Sequence, residues 1–312
     1  MSSEKCIVML SGGLDSRLAL KIMQEQMGPE NVTALYFNLP FGSGCCSKSC
    51  SFNFSQMQGT KLDVIECAKG ENLREYLEVI RDAKHGRGAG VNACVDCRIF
   101  IFKKAKEFAD KKGVKLIVTG EVLGERPMSQ MPKSMKIIEE KSGLKGRILR
   151  PLSAKLLEET NAEKEGIVDR EKLYQIQGRR RVPQIEMAEE FGIDYPSPGG
   201  GCLMCEKELK VRLSHLLNRG MDEKEILLVS VGRHFLIDNC WIVTGRNHEE
   251  NLFIQNIGKT NGKLIIPEGH APTALILDQV KDGLEEKVGK LIEAYAKGIP
   301  VEEREKFEEY KF

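Results

Sequence analysis

Cys6-Ile7-Val8-Met9-Leu10-Ser11-Gly12-Gly13-Leu14-Asp15-Ser16 is the stretch that decides the fold. Five apolar residues in a row are expected of a strand covered on both faces in a parallel sheet, and the amphipathic pattern over 14–27 is that of a helix. Between them lie two glycines, which let the backbone approach an oxyanion closely, and serine hydroxyls that add donors. The helix N-terminus contributes unpaired N–H groups and a partial positive charge. A turn that leaves a strand and opens a helix is also where ligands bind in open α/β sheets. The stretch therefore predicts a phosphate cradle. It lacks the Gly-Lys-Ser/Thr ending of a Walker loop, so transfer of a γ-phosphoryl group is not its natural chemistry.

Working outward, short apolar runs near 6–10, 32–39, 61–67, 115–119 and 147–152 alternate with amphipathic stretches such as 14–27 and 98–112. The second of these places Ile101, Ala105, Phe108 and Ala109 on one face. This alternation predicts an α/β fold, an open parallel sheet of about five strands with helices on both faces. Beyond Glu171 the character changes. The triplet Arg179-Arg180-Arg181 precedes a short helix over 184–191 and a turn-rich segment, 195–202. A helix to Arg219 and two strands, 232–237 and 241–245, predict a small C-terminal α+β module, giving domains of 1–205 and 206–312. No fixed-period repeat or low-complexity tract interrupts this plan, and 302–312 is a charged, helix-like tail.

The 312 residues are 41% hydrophobic and 30% charged, and no apolar run reaches the roughly 18 residues of a membrane span. The run after Lys5 is too short for a signal peptide, which leads to the expectation of a cytoplasmic protein without membrane contact. Forty-seven basic residues against forty-six acidic ones leave almost no net field, so any nucleic acid must be held by local patches. Ten cysteines in a chain expected in the cytosol argue for metal ligation or thiol chemistry rather than disulfides.

Two Cys-x-x-Cys pairs stand out. Cys94-Val95-Asp96-Cys97 ends a glycine-rich loop, 85–90, just ahead of a helix expected from about Arg98, whose N-terminus would stabilise thiolates. Cys202-Leu203-Met204-Cys205 follows three glycines that permit close approach to another backbone. Such pairs also make structural zinc sites; the long gap between them disfavours a compact zinc ribbon but allows a site joining distant segments. Cys45, Cys46 and Cys50 form a third group that could bind a second metal, relay sulfur or merely occupy a loop, while Cys6, Cys67 and Cys240 fall in apolar patterns and read as buried thiols.

The motif Ser-Gly-Gly-x-Asp-Ser at 11–16 resembles the pyrophosphate loop of the N-type (PP-loop) ATP pyrophosphatases, which cleave ATP between its α and β phosphates. The resemblance implies an adenine nucleotide alpha hydrolase-like fold. It also implies ATP at Ser11, Gly12, Gly13, Leu14, Asp15, Ser16 and Gly120, and a magnesium ion (Mg2+) held with the help of Asp15. The run 92–97 with its basic helix looks like the matching segment of the tRNA 2-thiouridylase family MnmA, and Cys202 is similar to that family's second reactive cysteine. Leu149-Arg150-Pro151-Leu152 is shared as well, and Thr119-Gly120-Glu121 stands where the family reads Thr-Gly-His. Where that family carries Asp three places before its cysteine, this chain has Cys94. The resulting set Cys94, Cys97 and Cys202 resembles the TtuA/ThiI-type thiolases; in the TtuA type three cysteines hold a four-iron four-sulfur (4Fe-4S) cluster and leave one iron open to carry hydrosulfide.

Over residues 6–206 the resemblance therefore implies a tRNA sulfurtransferase. Asp15 serves adenylation of a uridine carbonyl, and Cys97 and Cys202 serve sulfur delivery from the cluster or from a persulfide. Its partners are tRNA and a sulfur donor, either inorganic sulfide or a sulfur-carrier protein, with a homodimer as one possible assembly. Two other classes share these features: a PP-loop enzyme transferring nitrogen to a small molecule, and a non-catalytic RNA-binding protein stabilised by zinc. Lys133, Lys136, Lys141, Lys145, Arg147, Arg150 and Lys155 form one basic band, and Arg170, Lys172 and Arg179 to Arg181 a second; both are candidate phosphate contacts, although glutamates dilute the first. The loop 124–130 is expected at the mouth of the site, with Arg126, Ser129 and Gln130 as candidate contacts. The five histidines form no metal-spaced set.

Overall fold

A computed structural model describes residues 4–42, 48–197 and 201–312. The chain divides into two compact units, Met1–Lys207 and Glu208–Phe312. The first unit runs β1 (Cys6–Met9), α1 (Leu14–Met27), β2 (Val32–Asn38), α2 (Lys48–Met57), β3 (Leu62–Glu66), α3 (Gly70–Arg81), α4 (Cys94–Lys111), β4 (Leu116–Thr119), α5 (Pro132–Ser142), β5 (Ile148–Leu149), α6 (Asn161–Lys164) and α7 (Val182–Glu190).

All five strands pair in parallel in the order β3-β2-β1-β4-β5. The sheet is the open parallel one that the alternation of apolar and amphipathic stretches predicts. Alternate residues of the central strands face opposite layers. Cys6, Val8, Leu116 and Val118 join a core with Leu14, Leu18 and Ile22 of α1 and Met187 and Ala188 of α7. Ile7 and Ile117 are equally buried, and α4 packs against β4, α3 and α5. Burial on both faces is why these strands read as unbroken apolar runs. The chain lays β2 and β3 on one side of β1 and then crosses to lay β4 and β5 on the other. The carboxyl ends of β1 and β4 therefore flank the switch point, where α/β sheets open a crevice.

One boundary differs from the sequence expectation. Helix α4 begins at Cys94, not near Arg98, so the first Cys-x-x-Cys pair forms its opening turn rather than preceding it. Cys97 N–H donates to Ala93 O at 2.8 Å, and the Asp96 carboxylate accepts the N–H groups of Lys84 and His85, tying the preceding loop to the helix start. The spacing i, i+3 then sets both cysteines on one face.

The second unit holds α8 (Lys210–Arg219), α9 (Glu223–Leu228), β6 (Arg233–Ile237), β7 (Cys240–Thr244), α10 (His248–Gly258), β8 (Lys263–Ile265), β9 (Ala274–Ile276), α11 (Leu284–Ala294) and α12 (Val301–Glu305). Its four strands form an antiparallel sheet in the order β6-β7-β9-β8. Asp238 and Asn239, both with positive φ, make the two-residue turn joining β6 to β7. The strands β8 and β9 are three residues each, too short to leave a period in the sequence.

His234 is buried in this unit. Its Nδ1 accepts from Trp241 Nε1 at 3.0 Å, and its Nε2 donates toward the carbonyls of Val231 (2.9 Å) and Leu228 (3.1 Å), so the neutral ring uses both nitrogens. Burial, and then the nearby Arg212 charge, push its pKa down to about 3. An unfolded chain takes up this proton near pH 6.5 while the folded one refuses it, so the stabilisation is whole above pH 6.5 and drains away as pH falls toward 3. The loss amounts to roughly 4 kcal/mol over that window. Unfolding followed through Trp241, the chain's single tryptophan, should shift to lower denaturant across this range, and His234→Gln should flatten the shift.

Candidate active site

The turn after β1 sits at the switch point. Gly12 adopts φ +88°, and Ser16 Oγ donates to Gly13 O at 2.9 Å and receives from Ser11 Oγ at 3.2 Å, which braces the turn from within. Arg17 is buried and fully engaged: Nε on Gly12 O, Nη1 on Asp194 O, Nη2 on Cys50 Sγ, with its guanidinium 4.5 Å from the Phe54 ring centroid. From the neighbouring strand β4 comes Gly120. A Cβ there would lie 2.4 Å from the carbonyl carbon of Asp15, so only glycine lets β4 close against the turn.

Ser11, Gly13, Leu14, Asp15, Ser16 and Gly120 line a cavity of about 330 Å³, and so do Cys94, Cys97, Cys202 and Cys205. Two segments far apart in the chain thus meet at one place. Val91 N–H donates to Met204 O at 2.9 Å, and Leu203 N–H to Phe41 O at 3.3 Å. The glycine that permits this approach is Gly90, where a Cβ would stand 2.1 Å from Met204 O. Of the three glycines expected to do so, Gly199 and Gly200 lie outside the described residues, and Gly201 packs against Cys205 Sγ.

Cys202 and Cys205 flank a short 3-10 turn with their sulfurs 3.9 Å apart. Tyr76 Oη lies 3.5 Å from Cys97 Sγ, and Asn92 Nδ2 donates to Cys94 Sγ at 3.2 Å. Burial pushes the Cys202 thiol up to about 12, helped by the charges of Cys205 and Cys97, and burial raises Cys97 and Cys205 as well. The thiols are close enough to oppose one another's ionisation, the situation a bound cation would reverse. Among the described residues, no three His, Cys, Asp or Glu side chains stand in the arrangement of a metal site. The donor set is nevertheless all sulfur, which suits iron or zinc.

Asp15 opens the other wall. Burial and then the Glu125 charge raise its pKa to about 6, against the lowering effect of Arg181. Its Oδ1 is buried without a hydrogen-bond partner, while Oδ2 lies 3.8 Å from Arg181 Nη2. Arg181 is gripped by buried Glu125 through Nε at 3.0 Å and through Nη2. Deeper, Glu121 accepts from Arg150 Nε at 3.1 Å and pairs with Arg98 Nε at 3.3 Å, so a carboxylate occupies the place where the resemblance leads one to expect histidine.

The first basic band is partly paired within the chain, while Lys133, Lys141 and Lys145 are exposed. Arg150 is 3% exposed and bound between Glu121 and Glu139; Arg147 pairs with Asp110, Lys136 with Glu158 and Lys155 with Glu171. Four of the band's seven charges thus meet acids of the chain itself. In the second band Arg170 pairs with Glu163 and Arg181 turns into the cavity, while Arg179 and Arg180 remain exposed. Arg126, Ser129 and Gln130 line the cavity as the sequence predicts. Cys50 lies on α2 against Arg17, and Cys45 and Cys46 fall outside the described residues. Cys6, Cys67 and Cys240 are buried, as their apolar settings suggest. Tyr76, Arg98, Glu125 and Arg181 belong to the cavity wall or its support without being singled out for that role by sequence; Arg98 follows Cys97 and Glu125 lies in the loop 124–130, but nothing in the spacing of Tyr76 or Arg181 relates them to residue 15 or 97.

Residues 1–169 match the family model of ThiI, the thiamine biosynthesis protein. The chain belongs to the ThiI family. The span of the match takes in the loop 11–16, Cys94, Cys97 and Gly120. A probable tRNA sulfurtransferase of Methanosarcina mazei is 29% identical to this ThiI-family chain over 126 residues, covering 39% of the chain and 29% of that relative. Among solved structures, a glutamine-dependent NAD+ synthetase from Acinetobacter baumannii in complex with ADP aligns with 44% of the chain and 23% of its own, at 16% identity and a TM-score of 0.29. At that score the likeness carries no weight for the fold, which rests on the observed sheet. No described helix is long and apolar enough to cross a membrane.

Proposed function

We propose that the chain is an ATP-dependent tRNA sulfurtransferase that thiolates a uridine. The observation that carries this reading is one cavity walled on one side by the loop 11–16 and on another by four cysteines drawn from two distant segments. The name of the Methanosarcina relative supports the substrate class. ATP binds with its phosphates on the loop, whose N–H groups and helix terminus stabilise the departing charge. The uridine carbonyl oxygen attacks the α-phosphorus, the bond to the β-phosphate breaks and pyrophosphate leaves. Sulfur then attacks the ring carbon, and AMP departs with the former carbonyl oxygen.

Asp15 would hold Mg2+, which fits a buried carboxylate oxygen lacking a partner, and the ion would neutralise phosphate charge. Cys94, Cys97 and Cys202 would hold the 4Fe-4S cluster, with zinc the less fitting occupant. When bound, the cluster supplies a Lewis-acidic iron that keeps sulfur anionic. The chain's own part is to gather the thiols out of water beside the nucleotide, with Asn92 and Tyr76 orienting Cys94 and Cys97. A second reading dispenses with metal, supported by the closeness of Cys97 and Cys202, each of whose charges would oppose the other's ionisation. In it Cys202 carries a persulfide from a donor, its outer sulfur joins the ring carbon, and Cys97 attacks the inner sulfur to leave a Cys97–Cys202 disulfide. The second unit grips the tRNA, the donor is inorganic sulfide for the cluster or a sulfur-carrier protein that passes persulfide sulfur to Cys202, and the enzyme works in the cytoplasm.

Anaerobic purification with iron and sulfide assays and a visible spectrum separates the two sulfur mechanisms. Incubation with tRNA, ATP and sulfide should then give one AMP per thiouridine. AMP release needing neither tRNA nor sulfide would point to nitrogen transfer instead, and RNA retention by a colourless zinc protein without ATP turnover would refute catalysis.

A further inference from the structure

We infer that Arg181 is the cation of the nucleotide site, clamping the terminal phosphates of ATP and carrying their charge as pyrophosphate departs; this rests on the nucleotide reading of the loop 11–16. That loop contains no basic residue and carries the acid Asp15. Arg17, the first basic residue after it, has its guanidinium nitrogens committed to Gly12, Asp194 and Cys50. Three arginines line the cavity, and they divide between its ends. Arg98 is tied to Glu121 beside Cys97, and Arg126 is the arginine whose charge Cys205 feels. Among the described residues, Arg181 is the one that forms an ion pair with the loop, 3.8 Å from Asp15.

Its setting is built for the task. Buried Glu125 grips Nε and Nη2, fixing the guanidinium before any ligand arrives, so little side-chain entropy is left to lose on binding. The planar fork matches phosphate oxygens in a way an ammonium cannot. On the cavity side, Nη1 of Arg181 makes no hydrogen bond to any described residue, while fully buried Gln184 lies against Asp15 and helps to hold its carboxylate. A guanidinium held from behind with a donor left on the cavity side is placed to meet an anionic ligand there. When the bond between the α-phosphorus and the bridging oxygen breaks, its electron pair moves onto pyrophosphate, and Arg181 meets that charge without having to reorganise.

Calorimetric titration of the full chain with ATP, pyrophosphate and AMP, in the absence of RNA and sulfide, tests this. Arg181→Gln should weaken ATP and pyrophosphate by about 10- to 100-fold and AMP by less than about threefold. Arg181→Lys should fall between, since the charge stays and the fork is lost. The double variant Arg181→Gln with Glu125→Gln removes both buried charges together, so it keeps the local balance and should show the same selective loss with an unfolding midpoint near wild type. Equal losses for AMP and pyrophosphate, or none for either, would overturn the assignment. A wild-type chain that binds neither ATP nor pyrophosphate would overturn both this inference and the nucleotide reading beneath it.

Discussion

Asp15→Asn is expected to abolish tRNA-dependent AMP formation, a fall of at least about 10²- to 10³-fold, because it removes the charged carboxylate from the phosphate turn. The same change should stabilise the ligand-free protein. Burial and Glu125 raise the Asp15 pKa to about 6 from 3.8, so ionising this group costs folding free energy. That cost is absent below pH 4, grows as pH rises and is complete above about 6, reaching up to about 3 kcal/mol. Asparagine escapes it. Thermal unfolding at pH 8 should therefore rise by a few degrees in the variant, with the gain disappearing toward pH 4. A residue that lowers stability yet is indispensable for turnover is one held for chemistry. Retained AMP formation would remove Asp15 from the site.

Cys97→Ser and Cys202→Ser should separate the two halves of the reaction. Both residues line the cavity, yet their side chains hydrogen-bond to Tyr76 and Cys205 rather than to the loop 11–16, so ATP affinity should stay within about twofold. Thiolation should drop below about 10⁻³ of wild type, because serine supplies neither a ligand for soft metal nor a sulfur nucleophile. Iron content read alongside activity tells which role is lost: a coordinating cysteine takes the visible chromophore with it, whereas a persulfide carrier leaves a colourless protein unchanged in spectrum. Thiolation surviving either substitution would refute the assignment of that cysteine.

The two changes differ in how far the sequence foresaw them. Asp15 is local: strand, turn and helix follow one another within eleven residues, and their chemistry is readable from neighbours in the chain. The cysteine site is not. Its pairs are visible as motifs, but their meeting depends on Gly90 admitting the Met204 carbonyl, a contact that no spacing encodes. One member of the first basic band, Arg150, is not a surface residue, for a related reason. Arg150 looks like a surface charge beside Arg147, and only packing reveals it buried between Glu121 and Glu139.

What the sequence determined by itself is therefore the parallel sheet, the glycine turn at its switch point and the identity of the thiols, because unbroken apolar runs, glycine pairs and cysteine spacing act over a few residues. Tertiary structure alone decided which charges face the cavity and which are spent on one another. Arg181 and Arg150 are the same residue type with glutamate partners of the same kind, and one lines the cavity while the other is sealed in the interior. Burial and partner geometry, set by contacts between residues dozens of positions apart, make that difference.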